Sequence, residues 1–321
     1  MVKFPAEAGA PGDARGAARS LHRSPDRSRG SHETYGTDEV TTLQAGRSIA
    51  ELMETAQEAV VRAGRLLHDH WKEFLEAGVG FKGPVDLVTE GDRRSEAVIL
   101  EVIRSRYPDD AVLTEEQGAL GHESEYRWLV DPLDGTTNYA HGLPVFAVSV
   151  AVERQGQLLA GSVYEPATGR LYVAGRGAGA RRDGRVLRVS GTRELDRSLL
   201  ATGFAYNLRE TDETNLDHFD HFSRRAQGIR RLGAAALDLC WVAEGWFDGF
   251  WEYRLHPWDV AAGVLLVEEA GGRVTDFFGA PLDFSRPTLD VVASNGHVHE
   301  AMLRVLELGH TGMRRASNPT P

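Results

Sequence analysis

Asp131-Pro132-Leu133-Asp134-Gly135-Thr136-Thr137-Asn138 is the stretch that decides the reading. The apolar run Trp128-Leu129-Val130 precedes it and predicts a strand. That strand delivers two carboxylates three residues apart, and a Gly-Thr-Thr turn follows at once. Pro132 stiffens the turn and leaves one fewer amide in need of a partner. A glycine turn after a strand gathers backbone N–H groups toward one point, which suits a phosphate. Carboxylates beside an anion site make sense only with cations between them, and hard oxygen ligands favour Mg²⁺. Asp134-Gly135 alone would read as an ordinary Asx-turn; the whole octapeptide does not.

Upstream, Ala111-Val112-Leu113 is a second short apolar run that stops at acids, Glu115-Glu116. Adjacent acids point to different sides, so at most one of them faces a metal. Before that, Ser48 and Glu51 form a capping-box pattern, and Ile49, Leu52, Ala56, Val60, Ala63, Leu67 and Trp71 recur at helical spacing. A strand-like piece is expected near residues 80–82. Asp86-Leu87-Val88-Thr89 then leads into a second helix from about Gly91 to Arg106, with Pro108 just past its end. Asp86 suits the N-cap of that helix and Asp92 its first turn.

Downstream, residues 145–189 alternate like a meander of strands, with turn signals at Gln155-Gly156, Pro166 to Gly169 and Asp183-Gly184. Arg176-Gly177-Ala178-Gly179-Ala180 lies within that meander and reads as a plain loop, not a nucleotide-binding one. After Ser190 strands (199–204, 247–251, 291–294) alternate with helices (234–244, 257–270 and one closing near Leu308). The expectation is an α+β half over 46–190 and an α/β half over 191–309. Pro257 suits a first helical turn, which puts Asp259 where the helix dipole favours an acid. Ala261, Ala262 and Gly263 allow that helix to pack closely.

The chain has 321 residues, enough for about two domains. Its 47 acids against 36 Lys and Arg give a charge of −11. Residues 1–45 sum to zero and residues 310–321 to +2, so the body from 46 to 309 carries −13. That balance argues against nucleic-acid binding, which needs a basic surface. The two end segments lack periodicity and read as disordered tails. The single cysteine, Cys240, excludes an internal disulfide framework and a zinc ribbon; it reads as a small buried hydrophobe and fits a reducing compartment. No apolar run approaches the roughly 18 residues of a membrane helix, and no secretory h-region is present. Walker A, Gly-x-Ser-x-Gly and His-Glu-x-x-His patterns are absent. His218, His221, His297 and His299 read as surface or helix-start residues.

Together these segments resemble the inositol monophosphatase family. The carriers are Asp86 to Asp92, Thr114-Glu115-Glu116 (Thr114 where Gly is usual), Trp128 to Asn138, and Trp258 to Gly263. Arg231-Leu232-Gly233-Ala234-Ala235-Ala236-Leu237-Asp238 is similar to the family's substrate-side helix start, with Ala234 where Ser or Thr is common. The resemblance spans about 48–308. It implies a layered α/β/α/β/α sandwich, a Mg²⁺-dependent phosphomonoesterase with two or three ions per site, sensitivity to Li⁺, a homodimer and a cytoplasmic location.

Residue by residue, the resemblance implies that Glu115, Asp131 and the Leu133 carbonyl hold one metal, and that Asp131, Asp134 and Asp259 hold a second. Glu115 would also help position a third. Asp92 and Thr136 would form a hydrogen-bonded pair that, with Glu115, orients a water at the metals. The Gly135 and Thr136 amides would bind phosphate, and Asp134, Ala235 and Glu252 would meet the sugar alcohol. Lys82 would correspond to a family lysine, although its spacing to Asp86 is one residue short. The expected substrate is myo-inositol 1-phosphate or a similar sugar-alcohol phosphate, cleaved by direct in-line attack of water without a phosphoenzyme. Relatives also act on histidinol phosphate, fructose 1,6-bisphosphate or 3′-phosphoadenosine nucleotides. Thr137 stands where a Lys would hint at some of these, and Phe250-Trp251-Glu252 looks like the inositol-type wall. A non-catalytic partner role in the transcription machinery is the remaining alternative.

Overall fold

The computed structural model describes residues 46–76, 84–204 and 214–309, with backbone alone for 74–76 and 84–89. Strands β1 (Ala111–Thr114), β2 (Gly118–Leu120), β3 (Tyr126–Asp134), β4 (Ala147–Arg154), β5 (Gln157–Glu165), β6 (Arg170–Gly175), β7 (Gly179–Arg182) and β8 (Arg185–Val186) form one sheet in the order β2-β1-β3-β4-β5-β6-β7-β8. Within it only β1 and β3 run parallel. The second sheet holds β9 (Leu199–Thr202), β10 (Gly228–Arg230), β11 (Gly249–Leu255), β12 (Arg273–Thr275) and β13 (Leu289–Ser294), ordered β10-β9-β11-β13-β12. Both sheets belong to one compact unit.

Strand periodicity builds the layers. In β3, Trp128 and Val130 join the core beneath helices α1 (Ile49–Glu76) and α2 (Pro84–Arg106), while Leu129 joins the core between the sheets. In the second sheet Phe250, Val291 and Ala293 face inward, and Trp251 and Val292 face the opposite side. Helices α5 (Ala235–Ala243) and α6 (Pro257–Glu269) fill the space between the sheets. Helices α4 (Leu216–Ser223) and α7 (His299–Leu306) cover the far face. The result is the expected α/β/α/β/α sandwich. The middle layer is tight: a Cβ on Gly161 would stand 2.9 Å from the Ala262 Cα, and one on Gly263 would stand 2.5 Å from the Leu239 Cβ. The small residues of α6 therefore serve packing.

Some local expectations change. Helix α2 begins at Pro84, a residue suited to a first helical turn, so Asp86 lies inside the helix and not at its N-cap. His218 and His299 stand at the starts of α4 and α7, as helix-start residues, but both are fully buried and not on the surface. His218 Nε2 lies 3.1 Å from the Leu306 carbonyl, and His299 sits between Thr275 and Ser294 hydroxyls at 2.9 Å each. Burial holds His299 neutral, down to about 4. Cys240 is buried as expected. The end segments 1–45 and 310–321, the piece at 80–82 and Lys82 lie outside the described residues.

Candidate active site

Asp134 stands three positions after Asp131, which in a regular strand would place them on opposite faces. The ladder with β4 shows why they do not diverge: Asp131 pairs with Ser149 and Asp134 with Ala147, so three steps on β3 match two on β4. The extra residue is a bulge at Pro132-Leu133, and Pro132 has no N–H to leave unpaired there. The bulge turns both carboxylates toward the layer between the sheets. Parallel pairing does the same for Glu115: Thr114 lies beside Val130, and the Glu115 amide donates to the Val130 carbonyl at 3.2 Å. Two strands running the same way end at the same edge, so their terminal acids meet.

Two helix N-termini close the site. Ala234, at the start of α5, has no side-chain oxygen to cap the helix; the Asp134 carboxylate accepts from the Ala235 and Ala236 amides at 3.2 and 2.9 Å instead. At α6, Asp259 accepts the His256 amide at 2.7 Å. The helix-dipole reading of Asp259 is therefore correct, and the same residue also reaches the cleft. Asp131 accepts the Leu133 amide at 3.0 Å. From α2, the Ser95 hydroxyl donates to the Pro132 carbonyl at 2.7 Å and holds Asp92, one turn earlier, near Glu115 and Glu116.

Gly135 makes the turn that follows. Its φ of 85° is left-handed, and a Cβ there would stand 2.8 Å from the Val145 carbonyl. Among the described residues no side chain takes the Gly135 or Thr136 amide. The Thr136 hydroxyl donates to the Leu133 carbonyl at 2.9 Å. Among the described residues that hydroxyl bond to Leu133 stands in place of the expected Asp92–Thr136 pair.

These residues line one cleft, with Glu115, Asp131, Leu133, Asp134, Gly135, Thr136, Ala235, Glu252 and Asp259 all on its wall. Sequence reading missed Phe204, Arg231 and Leu255, which line it too. Arg231 lay inside the quoted Arg231-to-Asp238 stretch without a role. The cleft is short of positive charge. Burial and the charges of Glu116, Glu115 and Glu96 push Asp92 up to about 8. Burial and Asp259 push Glu115 up to about 7, although it keeps an exposed edge and a hydrogen bond to Asp131. Burial and Asp259 push Asp134 up to about 8 and Glu252 likewise, and burial lifts Asp259 to about 7. Asp131 is driven well above the carboxylate range by burial and by Glu115.

Such a donor set fits a divalent cation. Four carboxylates and a backbone carbonyl are hard oxygen ligands, and among the described residues none of the four carboxylates is in an ion pair. Among the described residues no three His, Cys, Asp or Glu side chains are already drawn into a ready metal shell. A cation must therefore use the Leu133 carbonyl or water beside the carboxylates.

A sandwich of this layering, with a carboxylate cleft beside a phosphate-type glycine turn, defines a class of phosphoric monoester hydrolases. The family model of the inositol monophosphatase family matches residues 48–309. An inositol-1-monophosphatase from Synechocystis is 44% identical, covering 79% of this chain and 88% of its own length. A Nus factor SuhB from Escherichia coli is 42% identical, covering 78% of this chain and 94% of its own. The structure of an inositol monophosphatase from Anabaena superposes with a TM-score of 0.74 at 43% identity, over 81% of this chain and 96% of that one. The chain belongs to the inositol monophosphatase family and is a phosphomonoesterase. Its family is metal-dependent. No described helix is long and apolar enough to cross a membrane.

Proposed function

We propose that the cleft hydrolyses myo-inositol 1-phosphate or a similar sugar-alcohol phosphate with Mg²⁺. The observation that carries this is the meeting of Glu115, Asp131, Asp134 and Asp259, none of them in an ion pair among the described residues, beside the Gly135 and Thr136 amides, which no described side chain takes. Glu115, Asp131 and the Leu133 carbonyl would hold one ion; Asp131, Asp134 and Asp259 would hold another, and Glu115 would contribute to a weaker third. Bound Mg²⁺ neutralises the phosphate and makes water a better nucleophile at neutral pH.

The chain's own groups do the rest. The Gly135 and Thr136 amides receive phosphate oxygens. The Thr136 hydroxyl steadies the Leu133 carbonyl. Asp92, buried behind Glu115, orients the attacking water together with it. Asp134, the Ala235 segment and Glu252 accept hydroxyls of the alcohol. No side-chain nucleophile is required, so the reaction is a direct in-line displacement. Phosphate release from a panel of monoesters, with Mg²⁺ and with EDTA, tests this. Release that needs Mg²⁺, favours inositol 1-phosphate and is inhibited by millimolar Li⁺ is expected; release unaffected by EDTA contradicts it. A homodimer in the cytoplasm belongs to the same proposal, and light scattering tests the dimer.

Relatives named Nus factor SuhB favour a second reading, a partner role in the transcription machinery. A pull-down that survives Asp131→Asn separates that role from catalysis.

A further inference from the structure

The cleft has two sides. Gly135, Thr136 and the metal-type carboxylates form the phosphate side. Phe204, Leu255, Glu252 and Arg231 form the side left for the alcohol. Five carboxylates line the cleft, and Arg231 is the one basic side chain on its wall among the described residues.

Arg231 is held there by the backbone. Its Nη1 lies 2.6 Å from where a Cβ on Gly233 would stand, so the guanidinium lies across that glycine. Gly233 itself has a φ of 77°. The Asn138 side chain donates to the Leu232 carbonyl at 2.8 Å and to the Gly233 carbonyl at 3.4 Å, which ties this segment to the helix α3 (Thr136–Ala140) that follows the glycine turn. Arg231 is nonetheless exposed, and among the described residues it forms no ion pair. A guanidinium always carries its charge and offers a planar fork of donors that matches a carboxylate or phosphate. With cations on the four metal-type carboxylates, the alcohol side retains one acid, Glu252, and one seated base with unused donors.

Resting on the phosphomonoesterase reading above, we infer that Arg231 is a specificity-determining residue that receives a second anionic group, carboxylate or phosphate, on the alcohol side of the substrate. The cleft then accepts monoesters whose alcohol carries such a group, which Glu252 alone would repel.

Glycerol 2-phosphate and 2-phosphoglycerate test this, because they differ in one carbon: a hydroxymethyl group in the first, a carboxylate in the second. The readout is the ratio of kcat/KM for 2-phosphoglycerate to that for glycerol 2-phosphate, measured with Mg²⁺. Arg231→Gln is expected to lower that ratio about tenfold, or about 1.4 kcal/mol of discrimination. Arg231→Lys is expected to restore most of it. Both substrates are read on the same protein, so any loss of folded enzyme cancels. An unchanged ratio in Arg231→Gln, with both rates falling together, would mean that Arg231 only balances Glu252 and would overturn the inference. Wild-type enzyme that releases phosphate from neither ester breaks the reading of the cleft itself, and the inference with it.

Discussion

Asp220, Asp283 and Glu300 on the surface and Asp131, Asp134 and Asp259 in the cleft are the same kind of group under opposite conditions. Asp220 meets Arg224 at 2.8 Å, Glu300 meets Arg273 at 2.5 Å, and Asp283 accepts from the Ser285 hydroxyl at 2.6 Å. Hydrogen bonds from those partners hold all three below the usual range. The cleft acids are buried against one another and rise above it. Those surface acids have arginine or hydroxyl partners; among the described residues Asp131, Asp134 and Asp259 have backbone amides and one another but no ion pair, although Arg231 stands on the same wall. Acids gathered without an ion-pair partner among the described residues suit a cation from solution. The acids of the body thus stand under two conditions, some neutralised within the chain and some facing one another in the cleft.

The sharpest way to break that contrast is to neutralise the cleft. Asp131→Asn and Asp259→Asn should each lower kcat about a thousandfold, since metal assistance is worth several kcal/mol. Each variant should melt no lower than the wild type in EDTA, because a repelling charge has been removed. A cleft variant with near-wild-type rate would end the metal assignment.

The next effect is on pH. A carboxyl whose folded value is raised binds more protons folded than unfolded, so its contribution is full below about pH 4 and is lost as pH climbs through the folded value. Glu115 and Asp259 at about 7, and Asp92, Asp134 and Glu252 at about 8, place that loss between pH 4 and 8. In EDTA the Tm should fall across this window. Mg²⁺ should raise the Tm more at pH 8 than at pH 5. A Tm that climbs over the same range in EDTA contradicts the cleft electrostatics.

A paired acid can be converted into an unpaired one. Asp110 is buried; it accepts from Arg47, whose Nη2 lies at 2.8 Å, and from the Trp128 indole at 2.8 Å. Arg47 also sits 4.2 Å from both the Tyr107 and Tyr126 ring centroids. Arg47→Ala should destabilise the fold by about 2 kcal/mol, measured by urea unfolding, since it strands a buried carboxylate. The smallest effect belongs to a fully solvated pair: Arg224→Ala should move the Tm by no more than about 2 °C.

The same contrast explains what could be read in advance. Period-two alternation and strong turn residues made the meander legible, and Gln155-Gly156 and Asp183-Gly184 do turn with positive φ at both positions. Asp131, Asp134 and Glu115 were visible as acids ending apolar runs. The bulge that aligns the first two, and the parallel β1–β3 pairing that brings in the third, are tertiary facts with no local signal. Helix α4, β10 and β12 passed unseen because each is only three to eight residues long. Gly177 and Gly179 resemble the Gly135 turn, yet their amides are both taken by the Glu269 carboxylate at 3.0 Å. What separates an anion site from a plain loop there is one distant acid, which no local reading supplies. Arg231 escaped notice because an arginine before a helix is ordinary until the cleft around it is known.

The most direct test is calorimetric titration of the metal-free protein with Mg²⁺ at pH 7.5 in two buffers of different ionisation enthalpy. Carboxyls raised to about 7 and 8 must release protons when a cation binds. The account predicts saturable binding with a heat that differs between the buffers, and its loss in Asp131→Asn. Binding that releases no protons, or that persists unchanged in Asp131→Asn, would contradict it.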